Sequence, residues 1–188
     1  MRHPLVLLVL TLAGLALLTA PAFAEEPPGF VVERAEMRLV DRVYVLDSDI
    51  RYTLSPDTLG ALDMGVPLTI ELEIQLVNPR WWWWDEIVAE LTQSYQLQHH
   101  ALTERYVVKN LNSGAQQTFA ELGPALEALG RVRDLPLLDV KLLGSGEHIG
   151  RVRAALNIEA LPAPLRPMAY LSPQWRMSSA WYEWRFVS

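Results

Sequence analysis

The sequence predicts a mainly β protein: an antiparallel β-sandwich of about seven strands with two short helices. Three observations carry this. Residues 67–77 alternate apolar and polar side chains almost perfectly, 149–158 do the same with Val152, Ala154, Leu156 and Ile158, and the helical segments between are short and bounded by cap residues. Alternation with period two puts one face of a strand in a core and the other in water, as antiparallel sheets permit. About seven such strands with short connections suit two packed sheets.

The chain has 188 residues, 51% of them hydrophobic and 20% charged, with a net charge of -6 and no cysteine. That is one domain's length with enough apolar content for a core. Disulfides, thiolate metal sites and cysteine nucleophiles are excluded. An acidic chain without a Lys/Arg run argues against binding nucleic-acid phosphates.

Residues 1–24 read as a signal peptide. Arg2 and His3 make a short polar start, Leu5 to Leu18 is apolar but for Thr11, and Ala22-Phe23-Ala24 offers small residues for cleavage after Ala24. The following Glu25-Glu26-Pro27-Pro28 cannot continue an apolar helix. The competing reading is an uncleaved inner-membrane anchor, but the apolar run is shorter than the roughly 20 residues that span a bilayer. The mature chain, 25–188, is expected to be a single β-sandwich domain in the periplasm, where its length spares it disulfide staples.

In the first strand, 43–54, Tyr44, Leu46, Ile50, Tyr52 and Leu54 face the core against Asp47, Asp49, Arg51 and Thr53. Ser55-Pro56 then reads as an N-cap with proline in the first helical position, and Gly65 ends that helix after Met64. Strand 67–77 sets Leu68, Ile70, Leu72, Ile74 and Leu76 against Thr69, Glu71, Glu73 and Gln75. Strand 87–98 is weaker, with Ile87, Ala89, Leu91, Tyr95 and Leu97 inward. Tyr106 to Val108 makes a return strand that Asn110, Asn112 and Gly114 end. A second helix is expected from Thr118, with Glu121 completing a capping box, through Leu122, Leu126 and Leu129 to Gly130; Pro124 falls in its first turn. Strands follow at 135–143, 149–158 and 180–187, while four prolines keep 162–173 out of a central strand.

Four consecutive tryptophans, Trp81, Trp82, Trp83 and Trp84, follow Arg80 and precede Asp85 and Glu86. On an extended chain they alternate in direction, so one pair can pack a core while the other meets solvent or a partner. Aromatics and arginine dominate interface hot spots, so Arg80 and the run are the candidate interaction surface. Acidic flanks disfavour anionic lipid, which makes a protein the better partner. Trp175, Trp181 and Trp184 could join the cluster.

The other constellations read as structural. His99 and His100, with Glu104 or His148, could share a metal only within a turn, because neighbours on a strand face opposite ways. Asp47 and Asp49 share a face, but Arg51 and Thr53 beside them suggest a solvated strand surface rather than a carboxylate pair for catalysis. Gly144-Ser145-Gly146-Glu147 is a turn, and no serine lies in a nucleophile elbow.

The exported leader, Gly65-Val66-Pro67-Leu68, the block Pro79 to Glu86, the run Tyr95-x-Leu97-x-x-His100-Ala101-Leu102-Thr103-x-x-Tyr106 and the closing Trp175-x-Met177-x-Ser179-x-Trp181 together resemble the proteobacterial family domain of unknown function 4390. The resemblance implies an exported bacterial protein without an established activity, often encoded beside a membrane sensor histidine kinase of the nitrogen-regulation type. With no complete catalytic set, the expectation is a non-enzymatic interaction domain of the cell envelope that needs no cofactor or metal, accessory to such a kinase. The alternative is a carrier or chaperone for an apolar ligand held between the sheets.

Overall fold

The computed structural model describes residues 27–79 and 86–188. Residues 1–24, expected to be a signal peptide, and the Arg80–Trp84 run lie outside the described residues. Within them the fold is the expected antiparallel, sandwich-like pair of sheets, but with nine strands and three α-helices rather than about seven and two.

The first sheet has the order β1-β2-β7, formed by Gly29–Val40, Val43–Thr53 and Arg131–Asp139. β1 has no counterpart in the sequence reading. It pairs along its length with β2 through a two-residue turn in which Asp41 and Arg42 both have positive φ, 47° and 72°, the geometry that suits a right-twisted hairpin. β7 begins at Arg131, four residues earlier than expected, and ends at Asp139, where a 3-10 turn at Val140–Leu142 takes over.

The second sheet has the order β6-β5-β4-β3-β8-β9. Its strands are β3 Leu68–Asn78, β4 Glu86–His100, β5 Arg105–Asn110, β6 Gln116–Phe119, β8 Glu147–Leu156 and β9 Tyr182–Val187. β3 is central, paired on one side with β4 and on the other with β8, so every apolar residue of its alternating face is buried. Ile158, expected to extend the strand at 149–158, opens a 3-10 turn instead.

The core fills the space between the sheets. Leu46, Ile50 and Val132 come from the first sheet and Ile70, Leu72, Ile74, Leu97, Val152 and Ala154 from the second. Each fully buried side chain of this kind contributes roughly 1.5–3 kcal/mol.

Helix α1, Pro56–Asp63, has the termini the sequence specified. The Ser55 side chain accepts from the Thr58 N–H, and Gly65 at φ 83° closes the helix with bonds from Gly65 N to Leu62 O and from Val66 N to Ala61 O. That pair of bonds is a Schellman closure. Ser55 also donates to the Gln174 carbonyl at 2.8 Å, which ties α1 to the turn that buries Trp175.

Helix α2, Leu122–Gly130, starts four residues after the expected Thr118, and no side chain caps it at Glu121. Thr118 is claimed by β6, where it faces Val107 of β5. Sheet pairing has overridden a local helix signal. α3, Arg166–Leu171, begins with proline in its first turn; the prolines of 162–173 that exclude a strand also start a helix.

Candidate functional site

In the sequence the run Arg80–Trp84 lies between β3 and β4. Asn78 faces Glu86 across the antiparallel pair, so the connection springs from one end of the second sheet. The same end holds the start of β8, the end of β9 and, from the first sheet, the β1–β2 turn and the end of β7. Tyr44 and Phe186 join the sheets there, with ring centroids 5.8 Å apart.

The outer face of the second sheet is a ladder of polar pairs for most of its length. Glu73 accepts two bonds from Arg153 Nη2, at 2.9 and 2.7 Å, while Gln75 donates to Glu90 and Arg151 pairs with Glu183. Arg153 also lies 4.7 Å over the Trp181 ring, a cation–π stack on a tryptophan outside the run. At the last row the chemistry changes. Val77, itself fully buried, stands between Ile149 of β8 and Ile87 of β4, giving a continuous apolar row next to Asn78 and Glu86.

Ile87 reaches this row because of a bulge. The register passes from Leu76↔Ala89 to Val77↔Ile87, which leaves Val88 as the extra residue. A bulge inverts the parity of a strand. Ile87, expected to face the core, is therefore turned outward and is 52% exposed. Leu142 and Val187, 70% and 78% exposed, and Leu39 and Val40 add apolar surface at this end. The opposite end also exposes Met64, Leu102, Met168 and Leu171, but these sit on separate turns and helices and not in one row of a sheet.

His148 braces Asn78 at the end of β3. It is buried, its ring is 5.4 Å from that of Phe186, its Nε2 faces the Gly144 carbonyl at 2.7 Å, and its Nδ1 meets the Asn78 side-chain amide. Ser188 donates to the same Gly144 carbonyl at 2.6 Å, which draws the last described residue into the brace.

His99 lies at the other end of β4 from this brace, stacked on Tyr106 at 4.6 Å, and His100 is exposed. The structure thus does not bring His148 to the histidine pair, and among the described residues no three His, Cys, Asp or Glu side chains are placed to share a metal ion. Asp47 and Asp49 are engaged with Arg38 and Arg133 respectively. Trp175 is buried in the turn beside α1, Trp181 lies on the outer face and Trp184 over Gly150. These three tryptophans occupy three separate places. Among the described residues no helix is long and apolar enough to cross a membrane.

Sequence reasoning missed the apolar row, although a signal existed. Leu76-Val77 ends a strictly alternating strand with two consecutive apolar residues, so one must leave the core face. Phe186-Val187 closes β9 with the same mark, whereas Leu39, Val40 and Leu142 carry none that places them here, since only the pairing of both sheets brings them to one end.

A two-sheet antiparallel sandwich with polar outer ladders and one apolar end is the class of protein defined here. The chain belongs to the family described as Domain of unknown function (DUF4390), whose match spans residues 28–185. No curated protein and no solved structure matches it.

Proposed function

We propose that this protein is exported through a cleavable signal peptide, matures at Glu25 and serves in the periplasm as a non-enzymatic interaction domain. Its partner would be an envelope protein. The periplasmic part of a membrane sensor kinase is the first candidate and the translocation machinery the second. The observation that carries this reading is the apolar row Val77, Ile87 and Ile149, with Ile87 half-exposed, set in an otherwise polar sheet face next to Asn78 and Glu86, between which the sequence runs through Arg80 and the four tryptophans. A desolvated apolar centre with aromatic and arginine anchors and a polar surround is the usual anatomy of a protein interface.

Crosslinking in intact cells tests it. Ile87→Glu changes an exposed side chain, so the melting temperature should hold while capture of the wild-type partner is lost. Of the paired variants Trp81→Ala/Trp83→Ala and Trp82→Ala/Trp84→Ala, one should leave the fold intact and also lose the partner. Unchanged capture in Ile87→Glu and in the stable tryptophan pair would end the proposal. Intact mass of the periplasmic form should begin at Glu25; full-length protein in the membrane fraction would establish the anchor reading instead.

A further inference from the structure

A second surface, independent of the apolar end, has the make-up of a small-molecule site. Helix α2 is pressed onto β2 at its C-terminal end, where a Cβ on Gly130 would stand 1.9 Å from the Ile50 carbonyl oxygen. Beside this contact a cleft of about 360 Å3 opens between α2 and strands β1 and β2, lined by Gly123, Leu126, Glu127, Ile50 and Tyr52, with charged residues at its rim. Ligand pockets begin at roughly 300 Å3, so its occupant is small.

The rim charges divide into those already paired and those not. Arg51 pairs with Glu33 at 2.8 Å, and Asp49 pairs with Arg133. Glu127 in the last turn of α2 and Arg131, the first residue of β7, both line the cleft and make no ion pair with a described residue. Between them and the apolar floor stands Tyr52, 6% exposed, whose hydroxyl makes no hydrogen bond among the described residues. Burial pushes the phenol well above its ordinary value, with the Tyr95 phenol adding to the effect, so it remains a neutral donor. Its oxygen is not wholly buried, so the hydroxyl meets solvent where Tyr52 lines the cleft.

We propose that this cleft binds a zwitterionic molecule of amino-acid size with an apolar body: its ammonium on Glu127, its carboxylate on Arg131, and its side chain over Leu126, Ile50 and the Tyr52 ring. A guanidinium recognises a carboxylate through paired donors. The carboxylates of Glu33, Asp49 and Glu127 oppose a polyanion such as a nucleotide. A ligand bearing only one charge would leave either Glu127 or Arg131 unanswered.

Titration calorimetry with L-phenylalanine tests the assignment, against phenylalaninamide, which lacks the carboxylate, and 3-phenylpropanoate, which lacks the ammonium. The amino acid should bind saturably with one-to-one stoichiometry and at least about tenfold more tightly than either analogue, since each charged contact is worth about that much. Arg131→Gln should abolish the preference over the amide and Glu127→Gln the preference over the acid. Both residues lie at the surface, so neither change should move the melting temperature. Tyr52→Phe keeps both the ring that the ligand covers and its edge-on packing against Phe30, whose centroid is 4.9 Å away, and should leave binding and stability close to wild type. Absence of saturable binding, equal affinity for the three compounds, or binding indifferent to both charge substitutions would overturn the proposal.

Discussion

The benzo ring of Trp184 occupies the space in which a side chain at Gly150, its cross-strand partner, would stand: a Cβ built there comes within 2.2 Å of the indole. Gly150 is on the core face of β8, so β9 supplies from Trp184 the apolar cover that residue 150 cannot. Gly150→Ala should overpack this site and cost about 1–3 kcal/mol in urea melts. Trp184→Leu should relieve the clash in the double variant. The coupling between the two substitutions should be about 0.5–3 kcal/mol, and additive losses would show that the ring moves aside freely.

Two glycines of α2 should respond in opposite directions to the same substitution. A methyl group at Gly130 would meet the backbone of Ile50 at 1.9 Å, and backbone cannot yield as a side-chain tip can. Gly130→Ala should cost about 4 kcal/mol or prevent folding. Gly123 has nothing within 4 Å of its Cβ position, and alanine there should stabilise by about 0.4–1 kcal/mol. Thermal melts of the two variants measure both. If both are neutral, α2 does not sit against β2 as described.

Leu72 and Glu73, neighbours in β3, separate the two faces of the second sheet. Leu72 is 1% exposed, and Leu72→Ala should cost about 2–5 kcal/mol. Alternation alone predicts almost no cost at Glu73. However, its carboxylate takes both bonds from the Arg153 Nη2 that lies over Trp181. Glu73→Ala should therefore cost about 1 kcal/mol, limited by the partial exposure of the pair. Chemical denaturation of both variants gives the comparison, and a larger loss at Glu73 than at Leu72 would invert the register.

What could be read from the sequence followed from how local each signal was. β3 and α1 were legible because strict alternation and the Ser55-Pro56 and Gly65 termini act within a few residues. β1 was not, because its register shifts between Val32 and Arg34. That bulge moves the buried face from Phe30 and Val32 to Ala35, breaking the period-two pattern that would have marked it. The Thr118 capping box failed because pairing with Val107 of the neighbouring strand outweighed a cap worth about 1 kcal/mol. The tryptophan run was conspicuous as composition, whereas the Glu127–Arg131–Tyr52 cleft exists only once residue 130 packs on residue 50, a contact no local pattern encodes.

Asp47 links two segments of the first sheet through charge and so carries a pH signature. Its carboxylate accepts from the Asp134 backbone N–H at 2.7 Å and from Arg38 at 3.0 Å. The Asp134 bond, followed by the bond and charge of Arg38, holds its pKa below the ordinary aspartate value against the opposing effect of burial. A carboxylate whose folded pKa is depressed adds stability that is fully present above its unfolded pKa, about 3.9, and is lost as pH falls through the folded value. Asp47→Asn should thus cost about 1 kcal/mol near neutral pH, where the charged acceptor is replaced by a neutral one. The gap between wild type and variant should stay level from about pH 7 to pH 5 and close below about pH 4 as Asp47 itself takes up a proton. Urea melts across that range measure it. A gap that persists undiminished at the acid end would mean that residue 47 acts through shape and hydrogen bonding rather than through its charge.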